Sequence, residues 1–266
     1  MRLIDSQIHL WTDQAAASKM LQQAMSAEEI IAQMDACGVS RTYLVPGHSG
    51  ANELCVQAAK KWPDRFKALS LLTLDKQASR DIVTGWHSSG FIGARLTFPP
   101  YREVSWLDDG TADWFWPLAN ELALPVMMWA PKRAATIGEL AQRFPRIRFI
   151  VDHINLFVMD KAEAVEREVS SVLQLAHLPN VAVKVSSLPA HSSEPFPYRD
   201  MHGHIERVVQ AFGAERAMWG TDLTRMACSY PQAIAMFTEH LPFLSAEQLQ
   251  SVMAGTAEHW LPWGEA

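Results

Sequence analysis

The chain has 266 residues, 48% of them hydrophobic, and a formal net charge of −6. One large core fits that length, no Lys/Arg block marks a nucleic-acid surface, and the longest apolar run, residues 122–130, is far too short to cross a bilayer. Three dispersed cysteines, Cys37, Cys55 and Cys228, have no CxxC spacing; they argue against a disulfide framework or thiolate metal site and read as small buried hydrophobes in a reducing cytoplasm.

The opening segment MRLIDSQIHLW turns polar within five residues and reads as a first strand, residues 3–9, rather than a signal peptide. Ser26-Ala27-Glu28-Glu29 is a capping box, in which hydroxyl and carboxylate each satisfy a free backbone donor. The helix it starts turns Ile30, Ile31 and Met34 inward and stops at Gly38, a left-handed cap. Strands are then expected at 42–46, 66–72, 93–98, 125–129, 148–153, 181–186 and 217–222. Helical patterns fall at 52–62, 79–88, 112–122, 134–144, 162–176, 199–212, 231–239 and 246–260. The connection 99–110, rich in Pro, Tyr, Trp and acidic residues, is long enough for a lid but equally suits a plain surface excursion.

Most strand candidates are continuous apolar runs, as a sheet buried on both faces requires. Eight strand–helix alternations with right-handed crossovers predict a single-domain α/β fold over 1–266, a (β/α)8 TIM-type barrel. The alternative, an open doubly wound sheet, lacks a GxGxxG after its first strand.

Barrels of this kind carry their chemistry at the C-terminal strand ends. Strand one ends in Gln7-Ile8-His9, with Gln7 and His9 inward if Ile8 faces the helices. Strand six ends in His153 and strand eight in Asp222. Two imidazoles and a carboxylate meeting at one mouth suit either a divalent metal or a general-base site. Alone, each has a plainer reading: a hydrogen-bonded structural histidine, or an aspartate capping the next helix. Arg95 in strand four and Arg225 after strand eight are candidate clamps for an anionic substrate, or rim salt bridges. His48, in a Gly-flanked turn after strand two, is a candidate contact, and Lys184 in strand seven either reaches the pocket or pairs with a buried carboxylate. Trp106, Trp114, Trp116 and Trp129 line a pocket or pack the core. His202 and His204, two apart on a helix, cannot chelate together.

The segments IDSQIHLW, FIVDHIN, VAVKVSS and AERAMWGTDLTR, in that order, resemble the amidohydrolase-related superfamily and, more narrowly, its lactonase branch, which includes 2-pyrone-4,6-dicarboxylate and sugar-acid lactonases. The likeness runs from Leu3 to about Trp263. It implies Asp222 as the base that activates water, with His9 and His153 as metal ligands or electrophilic donors. The usual His-x-His of strand one is here Gln7-x-His9, and Gln is a poor ligand for zinc. The expectation is therefore no required cofactor, or one divalent ion, zinc first, on His9, His153 and Asp222. The first reading is a hydrolase opening the lactone of a small carboxylated or sulfonated molecule. A metal-dependent decarboxylase or hydratase of the same superfamily is the alternative, and a decayed, non-catalytic binding protein is a third. The expected partner is a small molecule, with no nucleic acid and no membrane; a homo-oligomer is left open.

Overall fold

A computed structural model describes residues 1–11, 13–19, 23–99, 106–158, 160–261 and 263. Eight strands form one parallel sheet in sequence order: β1 (Leu3–Leu10), β2 (Val39–Pro46), β3 (Phe66–Leu71), β4 (Phe91–Thr97), β5 (Pro125–Trp129), β6 (Arg148–Val151), β7 (Val181–Ser186) and β8 (Ala217–Gly220). Helices alternate with them, including α1 (Gln14–Lys19), α2 (Ala27–Ala36), α3 (Asn52–Lys61), α4 (Gln77–Thr84), α5 (Phe115–Glu121), α6 (Ala134–Arg143), α7 (Glu163–Leu173), α8 (Arg199–Phe212) and α9 (Tyr230–His240). The last predicted helix is α10 (Ala246–Gln250) and α11 (Thr256–Trp260), joined by a π-helical turn, Ser251–Gly255. This is the expected (β/α)8 barrel. The capping box at Ser26 is formed, and Gly38 has φ +70°.

Every residue of β1, β5, β7 and β8 is buried, as continuous apolar runs anticipate. Side chains alternate between two cores. Ile8, Leu44, Ala68, Leu96, Val126 and Val151 pack under the helices. Ile4, Tyr43, Leu69, Met127, Ile150, Ala182 and Met218 fill the barrel axis, against Ala257 and Leu261 of the C-terminal segment. That segment plugs the N-terminal end: Tyr43 donates to the carbonyls of Leu261 (2.7 Å) and Ala257 (3.1 Å).

Strict alternation cannot put both Ile4 and Gln7 inside the barrel, because they are three residues apart. A register shift between Asp5 and Ile8 inserts one extra residue in β1 against β2 and resets the phase, so that Gln7 and His9 also face inward.

The same bulge shapes the seam where β8 meets β1. Among the described residues no strand ladder joins them. The fully buried Asp5 carboxylate substitutes for one, accepting the backbone N–H groups of Gln7 (3.1 Å) and Thr221 (2.9 Å), the Thr221 hydroxyl, and the Tyr230 hydroxyl of α9 (2.9 Å). The Asp222 N–H donates to the Gln7 carbonyl (3.1 Å).

Several strand ends differ from expectation, with β1 running on to Leu10, β3 ending at Leu71 and β4 spanning Phe91–Thr97. β6 stops at Val151 and gives way to a tight turn, Asp152–Asn155; β8 stops at Gly220, with Asp222 left-handed at φ +60°; β2 starts earlier, at Val39. Helix α1 was not anticipated. All three cysteines are free, but only Cys55 is buried, Cys37 and Cys228 being half-exposed. Of the connection 99–110, residues 100–105 lie outside the described residues, and Trp106 packs edge-on against Phe98. Among the described residues no helix is long and apolar enough to cross a membrane.

The seam yields a test. A Cβ on Gly220 would run into Ser6 Oγ and come within 3.3 Å of the Ser6 backbone nitrogen. Gly220→Ala is expected to cost about 1–3 kcal/mol, the scale of overpacking, seen as a lowered melting temperature. Gly203→Ala in α8, where a Cβ meets nothing within 4 Å, should gain up to about 1 kcal/mol from helix propensity. Equal melting shifts in the two variants would contradict this account of the seam.

Candidate active site

The C-terminal mouth of the barrel gathers Gln7 and His9 from β1, Arg95 from β4, Asp152 and His153 after β6, Lys184 and Ser186 from β7, and Asp222 after β8. All are buried. A charged core lies deepest: the Asp152 carboxylate takes Lys184 Nζ on Oδ1 (2.8 Å) and the Arg95 guanidinium on Oδ2. Lys184 also lies 3.6 Å from Met127 Sδ, and Arg95 Nε donates to Thr97 Oγ1 (3.2 Å). Burying two cations is tolerable because a carboxylate is buried with them.

That core fixes Gln7. Its Oε1 accepts from Lys184 Nζ and from Arg95 Nη1 (3.3 Å), so its NH2 must point the other way. Gln7 Nε2 stands 3.2 Å from both His9 Nε2 and His153 Nε2. The Val45 carbonyl can only accept, so His9 Nδ1, 2.8 Å away, carries a hydrogen. His153 Nδ1 meets the Ser186 hydroxyl at 2.8 Å. Asp222 completes the cluster, with Oδ1 3.1 Å from His9 Nε2 and Oδ2 3.9 Å from His153 Nε2. His9 Nε2 thus faces a group that can only donate, the Gln7 amide, and one that can only accept, the Asp222 carboxylate.

The electrostatics follow from burial and neighbours. Burial, reinforced by the Lys184, Arg95 and Arg225 charges and opposed by Asp222, holds the His153 imidazole well below its ordinary pKa. Burial and the Arg95 charge push the Lys184 amine down as well. Arg95 is lowered to about 9, chiefly by burial, which still leaves it charged at neutral pH. Burial acts to raise the Asp222 carboxyl, but the His9 and His153 imidazoles and Arg225 outweigh it and hold it far below the usual carboxylate range. Asp5, behind the seam, is raised by burial despite its hydrogen bonds.

The backbone that presents these groups is strained. His153, Ile154 and Asn155 all have positive φ (51°, 50° and 60°), as does Asp222 (60°). Each such residue costs on the order of 1–3 kcal/mol and persists only where its surroundings hold it.

The sequence candidates therefore separate into groups. Gln7, His9, His153 and Asp222 share hydrogen-bond distances; Arg95 and Lys184 engage Asp152 and Gln7. Arg225 is half-buried in the turn after Asp222, its N–H donating to the Asp222 carbonyl (2.7 Å). His48 is exposed, its ring 5.6 Å from that of Trp11. Trp129 stacks on Phe157 (6.1 Å, 18°), while Trp116 packs against Phe144 and Phe149 in the helix-facing core and Trp114 donates to the Leu74 carbonyl. His202 and His204 turn to the Pro197 carbonyl and to Glu166. Sequence reasoning missed Asp152 and Asp5; each is a carboxylate inside an apolar strand pattern, where a buried partner is obligatory.

A zinc ion would need the ring nitrogens at about 2.0–2.1 Å, with their lone pairs free. The Gln7 amide points at both, and among the described residues no group of three or more His, Cys, Asp or Glu is arranged to hold an ion. The donor set does not fit a metal as it stands.

Comparisons with known proteins agree with the architecture. An L-fucono-1,5-lactonase of Burkholderia ambifaria is 28% identical over 155 residues, 54% of this chain, and the match spans only half (50%) of the lactonase. An amidohydrolase of Burkholderia multivorans with bound zinc superposes with a TM-score of 0.82 at 20% identity, over 98% of this chain and 99% of that one. A 5-carboxyvanillate decarboxylase of Sphingomonas paucimobilis superposes with a TM-score of 0.71 at 14% identity, over 98% of each chain. The amidohydrolase family model Amidohydro_2 matches residues 4–263, practically the whole barrel, and the chain belongs to that family.

Proposed function

We propose that this protein is a hydrolase that opens the lactone ring of a small carboxylated or sulfonated substrate, without a metal. The observation that carries the reading is the convergence of Asp222, His9, His153 and the Gln7 amide within 3.1–3.9 Å at the barrel mouth. The fucono-lactonase relative supports the reaction class.

In this reading, water seated at Asp222 attacks the lactone carbonyl carbon. Its proton passes to the Asp222 carboxylate. His9 Nε2 lies 3.1 Å from that carboxylate, within reach to take the proton on. The oxyanion is met by the polarised Gln7 amide, a donor of a kind worth about 2.7–4 kcal/mol, while His153, whose Nε2 faces that amide at 3.2 Å, orients it. Collapse breaks the ring C–O bond, and the stored proton returns to the leaving alkoxide, giving a hydroxy acid. Arg225, whose charge already acts on Asp222, clamps the substrate anion, with His48 as an outer contact. Arg95 and Lys184 act on the substrate through Gln7. The decarboxylase alternative keeps the same pocket but releases CO2, which product analysis separates from simple ring opening.

Asp222→Asn is expected to lower turnover by about 10³-fold, within the range for a general base, with cooperative unfolding retained. Proton release from L-fucono-1,5-lactone and 2-pyrone-4,6-dicarboxylate is the readout, and turnover near the wild-type rate would remove Asp222 from this role.

Arg225→Met should raise KM about ten-fold for a carboxylated lactone, the scale of one charge-assisted hydrogen bond, and leave a neutral lactone nearly unchanged. Equal effects on both substrates would demote Arg225 to a structural part.

Chelator should leave the wild-type rate unchanged, and calorimetry should detect no stoichiometric zinc. Gln7→His, which supplies a third imidazole, should gain zinc affinity. Zinc that co-purifies at one per chain and carries the activity would reverse the metal-free reading.

A further inference from the structure

We propose that Asn155 and Glu168 are positioning residues that hold His153 in the mouth through a side-chain clamp on the turn after β6. In an ordinary strand, consecutive side chains point to opposite faces. Here Asp152 and His153 are consecutive and both face the mouth: Asp152 meets Lys184 and Arg95, and His153 meets Ser186 and Gln7. The left-handed run His153-Ile154-Asn155 makes that geometry, and a β-branched residue in this conformation is a genuine outlier.

Something must hold the run in place, and the contacts identify it. Asn155 is fully buried. Its Oδ1 accepts the Ala130 N–H (2.8 Å), and its Nδ2 donates to the Ala130 carbonyl (2.6 Å) and to Glu168 Oε1 (2.8 Å). Glu168, reaching in from α7, also accepts the Lys132 N–H (3.1 Å). One amide thus ties the turn to the backbone after β5, and one carboxylate ties both to a helix. Neither side chain hydrogen-bonds to Gln7, His9 or Asp222, so both act on the chemistry through His153.

The kinetic arm of the test rests on the lactonase reading; the spectroscopic arms do not. Glu168→Ala removes the acceptor, whereas Glu168→Gln keeps an oxygen where both donors meet. Asn155→Gly keeps a residue at ease with positive φ but removes the clamp. Glu168→Ala and Asn155→Gly should each lower kcat at least ten-fold with KM within about three-fold, while Glu168→Gln stays within about two-fold of wild type. In ¹⁵N-histidine spectra, the His153 ring signals should move in the first two variants and return to wild-type positions in the third. In the wild-type protein alone, the Asn155 side-chain amide protons should exchange slowly with solvent, a readout that needs no variant to fold. Fast exchange of those protons, His153 signals unmoved in Asn155→Gly, or Glu168→Gln behaving like Glu168→Ala would each overturn the proposal. If wild-type protein opens no lactone, the functional reading fails, and the ring spectra and amide exchange still decide this one.

Discussion

The carboxylate of Asp152 allows two cations to be buried at the top of the barrel, and the orientation of the site follows from it. An isolated buried ammonium or guanidinium is costly enough to lose its charge or disrupt the fold. With Asp152 between them, Lys184 and Arg95 stay in place and both reach Gln7 Oε1. An amide has two distinct ends, so fixing its oxygen fixes its NH2. The buried ion cluster thereby sets which way hydrogen-bond donors point at the mouth.

Two further constraints place the remaining groups. The bulge in β1 changes the phase of a strand that would otherwise send Gln7 and His9 toward the helices. Asp5 then joins β1 to Thr221, the residue before Asp222, so the spacing between Gln7 and the catalytic candidate Asp222 is set by one buried carboxylate and one backbone hydrogen bond. On the opposite side of the mouth, left-handed backbone supplies what strand geometry cannot. Strain in the turn after β6 and at Asp222 is concentrated where side chains must converge, and the surrounding barrel, with its two continuous cores, carries that cost.

The barrel was legible in the sequence because its signals are local and repeated. Apolar runs mark β5 and β7 to the residue, and the capping box at Ser26 marks the start of α2. His9, His153 and Asp222 were legible through one topological rule, that strand C-termini share a mouth. What escaped was non-local. Nothing in DHIN announces that its His, Ile and Asn are left-handed, because Ala130 and Glu168, distant in sequence, impose it. The same holds for Lys184: its partner Asp152 lies in the turn after β6, so pairing and pocket contact weigh equally until the strands are side by side. Asp5 left a clue, a carboxylate in a strand that must be buried on both faces, but its partners come from β8 and α9.

Gln7 is where this chain departs from the pattern it otherwise resembles, and its surroundings argue against decay. A position drifting after loss of function would leave the groups around it without partners, and in a buried site each orphaned polar atom is costly. Here the amide is used at both ends: its oxygen accepts from two cations and its nitrogen lies within reach of two imidazoles. In a metal site, a cation placed between imidazoles and carboxylate polarises the substrate. In the metal-free reading proposed above, that part falls to Lys184 and Arg95, which act through the dipole of the one amide whose oxygen both reach. A histidine at position 7 would gain a ligand and lose that relay, because an imidazole nitrogen facing Lys184 and Arg95 offers one lone pair where the amide oxygen offers two.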